Sequence, residues 1–397
     1  MGDIKDKVAI IGMGCTQFGE LWDKGVEDLI VDACSEALED AGVDLKDIQA
    51  AWYGTSYDFE FRESGSTSQP LAHALKTDYI PITRVENACA TGGEIIRNAA
   101  FAVAAGMYDI VLCCGIEKLK DVGYAGLPVT KSYPDPGNIE PQVLPVAYFA
   151  NYATRYFHRY GLSYEEGKRT LAQIEVKNHH NGVLSPKAHF HNEITVEQAV
   201  KAPMICYPLG LFDCCGVSDG GAAAILTRAD LAPNFRKDYV LIKGLGLAIG
   251  GRQGSYLPDY DFTHVEETVQ AAQQAYAQAG ITNPRKEIDL AEVHDCFSIT
   301  ELLIYEDLGF SPRGRAKEDV EAGTFTVQGE LSVNPDGGLK CFGHPISASG
   351  IRMMYEVYKQ LQGKAGPRQL KKADLGLTHS LGGYPTSHSV SVSILGR

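Results

Sequence analysis

The chain has 397 residues, enough for two or three structural units and a large buried core. Charged residues make up 22% and hydrophobic residues 44%, and the formal net charge is -14 with no basic run; this is a globular balance that excludes a general nucleic-acid binder. Ten cysteines form no regular framework and no Cys-x-x-Cys pair, which argues against a disulfide scaffold, a zinc ribbon or any other metal site.

The first half opens on Met1-Gly-Asp-Ile-Lys, without the long apolar stretch of a signal peptide. Free cysteines then fit a reducing cytoplasm. The pattern predicts a helix over 26–41 stopped by Gly42, then a strand over 48–54. Cys89-Ala-Thr-Gly-Gly93 opens a small-residue helix to about Ala105, and a strand follows over 109–115. Asp109 interrupts the longest apolar region, 99–116, so a buried helix and strand are expected there rather than a membrane span. Residues 119–210 are less regular, with Pro128, Pro134, Pro136, Pro141, Pro145, Pro186 and Pro203 and a helical stretch over 164–177. They are expected to form an inserted loop domain over the site. The strand over 220–226 returns to the first half.

The second half repeats the order. A helix over 265–279 is stopped by Gly280, and a strand runs over 288–294. His344-Pro-Ile-Ser-Ala-Ser-Gly350 opens a helix to about Leu361, and a strand over 374–380 precedes Gly382-Gly383. Two turn–helix–strand units in the same order predict an α/β fold built by duplication. The expected division is 1–118 plus 211–238 for the first half, 119–210 for the insertion and 239–397 for the second half.

Chemistry gathers at matching places in the two halves. Cys89 stands at a predicted helix start, where free N–H groups and the helix dipole favour a thiolate. The glycines after it are expected to let a substrate approach the backbone. A free cysteine also serves as a small core residue, and the local sequence leaves both readings open. His344, again at a helix start, could take a thiol proton or simply be a loop histidine. His294 and Cys296 lie past the carboxyl end of a strand, where α/β sheets bind ligands, although both are also ordinary core types. The histidines at 179, 180, 189 and 191 match no familiar metal spacing and read as a polar loop. Cys113-Cys114 and Cys214-Cys215 read as packing pairs, because neighbours on a strand face opposite ways.

Four blocks together resemble the thiolase superfamily across essentially the whole chain: Glu86-Asn-Ala-Cys-Ala-Thr-Gly-Gly93, His294-Asp-Cys-Phe297, Gly343-His-Pro345 and Ser380-Leu-Gly-Gly383. The resemblance implies the thiolase fold: two duplicated βαβαβαββ halves in a five-layered αβαβα sandwich with an inserted loop domain. It implies that Cys89 attacks the acyl carbonyl and that His344 activates it and helps hold the enolate oxygen. His294 would complete that first oxyanion hole, and the backbone N–H groups of Cys89 and Gly382 would form the second. Ser380 stands where common thiolases have a second cysteine, and the cysteine appears instead in His294-Asp-Cys-Phe. That pattern is similar to the sterol-carrier-protein type, in which Cys296 would exchange the proton at the substrate α-carbon.

Coenzyme A is implied as co-substrate, with no tightly bound cofactor. A homodimer core is implied, with a small OB-fold, zinc-ribbon subunit outside it, and neither nucleic acid nor membrane as partner. The narrowest resemblance is to the large subunit of a thiolase that cleaves 2-benzoylsuccinyl-CoA in anaerobic toluene degradation. The alternatives are an acetoacetyl-CoA type acetyltransferase, an aldolase-type carbon–carbon lyase, a decarboxylating ketoacyl synthase, and a non-catalytic subunit that binds acyl-CoA. The ketoacyl synthase would need an asparagine in the last block, where His379-Ser380 stands.

Overall fold

Each half begins with a strand whose glycines let a helix settle directly on the sheet. The computed structural model describes residues 4–56, 67–77, 79–122, 145–255, 257 and 260–397. The first half runs β1 (Val8–Cys15), α1 (Val26–Ala41), β2 (Ala50–Gly54), α2 (Gln69–Leu75), β3 (Ile82–Arg84), α3 (Thr91–Ala104) and β4 (Ile110–Glu117). The chain continues through α4 (Pro145–Tyr160), α5 (Tyr164–Val183), α6 (Val196–Lys201) and a small hairpin, β5 (Met204–Cys206) with β6 (Leu209–Gly210). Strand β7 (Gly220–Arg228) closes the half.

The second half runs β8 (Val240–Ile249), α7 (Glu266–Ala279), α8 (Pro284–Glu287), β9 (Leu290–Val293), α9 (Ser298–Asp307), α10 (Ala316–Glu321) and β10 (Ser332–Val333). It ends with α11 (Gly338–Cys341), α12 (Ile346–Leu361), β11 (Leu375–Tyr384) and β12 (Ser387–Gly396).

From the centre outward the first half orders its strands β1-β7-β4-β2-β3 and the second β8-β12-β11-β9-β10. The senses match as well. In each half the first two pairings are antiparallel and the outer two parallel. The two sheets join edge to edge through a short β1–β8 pairing at Ala9–Leu241 and Ile10–Val240, so one mixed ten-stranded sheet runs through both halves.

The duplication reaches individual side chains. An added Cβ at Gly12 or Gly14 of β1 would collide with the carbonyl oxygens of Ala37 and Ala33 on α1. At Gly244 and Gly246 of β8 it would collide with those of Ala275 and Ala271 on α7. Both helices stop on a left-handed glycine, Gly42 at φ +69° and Gly280 at φ +81°, a conformation other residues adopt only with strain.

Helix α1 covers β1, β7 and β4 from one side, and α7 covers β8 and β12. Helices α3 and α12 lie against each other and against strands of both halves, which makes them the shared inner layer. Their apolar faces meet in one core: Ile95, Ile96, Ala99 and Val103 with Ala348, Ile351, Met354 and Val357. The five-layered sandwich expected from the sequence is the architecture found.

The described part of 145–210 is mostly helical rather than irregular. Ser163 and Glu166 form a reciprocal capping box that starts α5, and the helix runs on to Val183, past the expected end. Pro128, Pro134, Pro136 and Pro141 lie outside the described residues. No described helix is long and apolar enough to cross a membrane.

Candidate active site

Cys89 sits on a turn ahead of α3, one residue before the helix N-cap Ala90. Ala88 adopts φ +49°, a left-handed conformation that costs a non-glycine residue on the order of 1 kcal/mol and needs support. The support is local. The Thr91 hydroxyl donates to Ala88 O at 2.6 Å and accepts the Asn87 N–H at 2.8 Å, while the Glu86 carboxylate accepts the Ala88 N–H at 2.7 Å.

The glycines after Cys89 serve packing rather than substrate approach. An added Cβ at Gly92 would fall 2.8 Å from the Gly350 Cα of α12, and one at Gly93 would collide with Ser391 of β12. They seat the start of α3 between two elements of the other half.

His344 occupies the matching position ahead of α12 and is buried. Ser349, in the first turn of α12, donates its hydroxyl hydrogen to Pro345 O at 2.8 Å, so its oxygen accepts Nδ1–H of His344, also at 2.8 Å. Nε2 is thereby left as a bare lone pair, 3.3 Å from Cys89 Sγ.

His294 follows β9 and stands edge-on to His344, with ring centroids 5.1 Å apart at 84°. One ligand-type atom from each of Cys89, His294 and His344 lies within 4.8 Å of the others. These three are the donors a metal ion could find at the site, though Cys89 and His344 already face each other as an acid–base pair. His294 Nδ1 is buried and meets no hydrogen-bond partner among the described residues.

Cys296 is buried, its Sγ 4.0 Å from Thr300 Oγ1 on α9. Cys214 and Phe297 form an antiparallel bridge, and Cys215 N–H donates to Cys296 O at 2.9 Å. Cys215 is therefore the cross-strand neighbour of Cys296, and its thiol bears electrostatically on that of Cys296. The reading of Cys214-Cys215 as a packing pair did not foresee this neighbour. Cys113 and Cys114 do pack on opposite faces of β4, one in each core.

Gly382 abuts the Cys89 backbone: an added Cβ there would collide with Cys89 N. His388, on β12, donates Nδ1–H to Gly382 O at 3.1 Å and has Tyr152 Oη 3.4 Å from its Nε2. Phe149 of α4 packs on both Phe297 and the His388 ring, at 4.6 and 6.0 Å between centroids. Beyond Tyr152 lies a cleft of about 460 Å³, lined among others by Tyr148, Asn151, Arg155 and Phe262.

The electrostatics correct one expectation. Cys89 is not poised as a thiolate. Burial, then the carboxylates of Glu117 and Glu86, push its thiol up to about 12, and these outweigh the helix start. Burial, then Arg352, pushes His344 down to about 3. The resting pair is neutral thiol and neutral imidazole. Burial, then Cys215 and Cys89, also raises the Cys296 thiol, and burial, then His344, lowers His294.

The histidine-rich stretch is not the polar loop expected throughout, because the strong capping of α5 carries that helix through its first two histidines. His179 and His180 end α5, bonded to Asn192 O at 2.8 Å and Glu193 at 2.9 Å, and His189 meets Ser218 Oγ at 2.9 Å. The sequence reading missed Ser349, His388 and Tyr152. Ser349 was findable, since a hydroxyl in the first turn after a helix-start histidine can reach back to it. His388 comes into place only through the β11–β12 register, Gly383 opposite His388, set by the turn at Pro385-Thr386.

Residues 8–230 match the family "Thiolase, N-terminal domain" and residues 252–397 match "Thiolase C-terminal domain-like". The chain is 39% identical to an acetyl-CoA acetyltransferase of Methanothermobacter thermautotrophicus, over 98% of this chain and 99% of that one. It is 30% identical to sterol carrier protein 2 of Bos taurus, over 96% of this chain and 70% of that one. Among solved structures, the Ltp2-ChsH2(DUF35) aldolase superposes with a TM-score of 0.84 at 26% identity, covering 100% of this chain and 99% of that one.

Proposed function

Starting from a chain that belongs to the thiolase family and is an acyltransferase of that type, we propose that it cleaves a β-ketoacyl-CoA with coenzyme A through an acyl group held on Cys89. The observation that carries this reading is the 3.3 Å approach of His344 Nε2 to Cys89 Sγ, with Ser349 fixing the tautomer that leaves Nε2 free.

The steps follow from the neutral pair. As Sγ attacks the β-keto carbonyl, His344 takes the thiol proton, because burial opposes an isolated thiolate beforehand. The oxyanion of the tetrahedral intermediate is held by the N–H groups of Cys89 and Gly382. Carbon–carbon cleavage leaves the acyl group on Cys89 and an enolate. Protonated His344 and His294 hold the enolate oxygen, and Cys296 gives its proton to the α-carbon. Coenzyme A then gives its thiol proton to the Cys296 thiolate and attacks the acyl–Cys89 thioester. Acyl-CoA leaves, and His344 returns its proton to Cys89. Run backwards, the same steps make a Claisen condensation.

As substrate we propose 2-benzoylsuccinyl-CoA, cleaved to benzoyl-CoA and succinyl-CoA. The likeness of the four sequence blocks to such a thiolase supports this reading. Acetoacetyl-CoA is the competing substrate, favoured by the relative named as an acetyl-CoA acetyltransferase. The working unit we propose is a cytoplasmic homodimer carrying a small OB-fold, zinc-ribbon subunit. The solved aldolase pairs Ltp2 with ChsH2(DUF35), which supports such a partner. Its aldolase activity also favours a second reading, a carbon–carbon lyase that never acylates Cys89.

The test incubates the purified complex with each β-ketoacyl-CoA in the absence of free coenzyme A and weighs the peptide containing Cys89. An acyl adduct on Cys89, absent in Cys89→Ala, supports the thiolase reading. Cleavage without any adduct, undiminished in Cys89→Ala, makes the enzyme a lyase.

A further inference from the structure

Two loops of the second half meet at the site. One follows β9 and carries His294 and Cys296; the other follows α11 and carries His344. A single buried carboxylate joins them. Asp295, between His294 and Cys296, accepts the Leu339 N–H at 2.6 Å on Oδ1, and the Lys340 N–H at 3.1 Å on Oδ2. Oδ2 also accepts Asn178 Nδ2–H of α5 at 2.9 Å.

Leu339 and Lys340 belong to α11, whose turns are closed by Phe342 N–H to Gly338 O at 2.9 Å and Gly343 N–H to Leu339 O at 3.2 Å. The carboxylate is thus linked, through one stiff helical turn, to the residue just before His344. Position 338 leaves no room for a side chain, because a Cβ there would fall against both oxygens and 2.7 Å from the Asp295 Cγ.

Asn178 is held in turn. Its Nδ2 donates at 2.7 Å to Glu301, whose other oxygen pairs with Lys177 at 2.6 Å. Three N–H donors therefore converge on the Asp295 oxygens, a set that only an acceptor at both oxygens satisfies. Glu301 and Tyr305 of α9, Glu175 of α5, Lys340 of α11 and Arg352 of α12 complete its charged surroundings.

We propose that Asp295 is a positioning residue that locks the Cys296 loop to the His344 loop, so that proton transfer at the α-carbon and activation of Cys89 share one fixed geometry. This inference rests on the roles given above to Cys89, Cys296 and His344. A lost anchor behind a catalytic group typically lowers activity 10–100-fold.

The experiment compares wild type, Asp295→Asn, Gly338→Ala and Cys296→Ala as purified complexes in two partial reactions. One is the acylation rate of Cys89 by a simple acyl-CoA with free coenzyme A omitted, a transfer that breaks no carbon–carbon bond and leaves no enolate for Cys296 to protonate. The other is uptake of deuterium from D₂O at the α-carbon of an acyl-CoA product. Asp295→Asn keeps the shape but points an NH₂ group at an N–H donor. We expect both rates to fall together, 10–100-fold, with KM for the acyl-CoA within about twofold. Cys296→Ala should abolish exchange and keep acylation. Gly338→Ala displaces the same carboxylate from the other side and should reproduce the paired loss, which keeps the test decisive where Asp295→Asn folds poorly. Loss of only one partial reaction in both variants, or of neither, overturns the proposal. A wild type that never acylates Cys89 overturns the thiolase reading instead.

Discussion

The Cys89 turn and the His344 turn occupy the same place in the two halves, each just ahead of an inner-layer helix, and they are built differently. The Cys89 turn is held from within its own half by Thr91 and Glu86, and its strained residue is an alanine. The His344 turn bends at a glycine, Gly343 at φ +116°, and is fixed by Ser349 within α12 and through α11 by the distant Asp295. The strand ends differ too. The first half uses Thr55, Ser56 and Glu117 to tie its own loops and to hold Ser347, at 2.8 Å from Glu117, at the start of α12. The second half places His294 and Cys296 past the end of β9 and Gly382 near the end of β11, where the proposed reaction uses them. Duplication gave two equal platforms. On the proposed reading one carries the nucleophile and the scaffolding and the other the proton-handling groups, and burial pushes the Cys89 thiol up and His344 down.

Three perturbations test that division. The largest effect is expected from Gly382→Ala, a change in the second half that acts on the turn of the first. Its Cβ would press on Cys89 N and disturb the N–H pair that holds the oxyanion. Single oxyanion-hole donors are worth on the order of 10²–10³ in kcat, so steady-state thiolysis should fall by about that factor; an unchanged kcat would remove Gly382 from the hole.

A smaller, one-sided effect is expected from Ser349→Ala. It frees the His344 tautomer and leaves the Thr91–Ala88 bond intact. Acylation of Cys89 should slow roughly 10–100-fold, while Thr91→Val should loosen the cysteine turn alone. Equal tautomer signals for His344 by nitrogen NMR in wild type and Ser349→Ala would contradict the assignment.

The smallest effect concerns His379, a buried histidine of the second half that bonds Thr268 Oγ1 at 3.0 Å and that burial lowers to about 3. Its folded pKa lies below the ordinary value of 6.5, so below pH 6.5 the unfolded chain takes up a proton that the native chain refuses. Stability held by the neutral ring is therefore present above pH 6.5 and lost as pH falls towards 3. His379→Gln removes this term. In urea unfolding, the stability difference between wild type and variant should move by about 2 kcal/mol in the variant's favour between pH 7 and pH 5. A pH-independent difference would mean that the native ring takes up its proton as readily as the unfolded chain does, and that burial does not lower it.

Much of this was legible in the sequence because it is written locally. Gly42 and Gly280 stop two helices of the same length class, and Cys89, His294 and His344 fall beside element ends that the pattern marks out. The duplicated order of helices and strands, and the cysteine standing in His294-Asp-Cys-Phe rather than at Ser380, needed no coordinates.

What the sequence left open is what depends on the distance between residues far apart in the chain. The helix start at Cys89 pointed to a thiolate, but burial with Glu117 and Glu86 beside the sulfur reverses the sign, and neither burial nor Glu117 is a local property. Cys215 becomes a neighbour of Cys296 only through one antiparallel bridge, and His388 reaches Gly382 O only through hairpin register. Gly92 and Gly93 read as room for substrate until α12 and β12 arrive to fill it. Periodicity and end signals select the elements and the residue types. Close packing between the halves fixes protonation, orientation and neighbours, because those energies belong to pairs that the chain brings together only when folded.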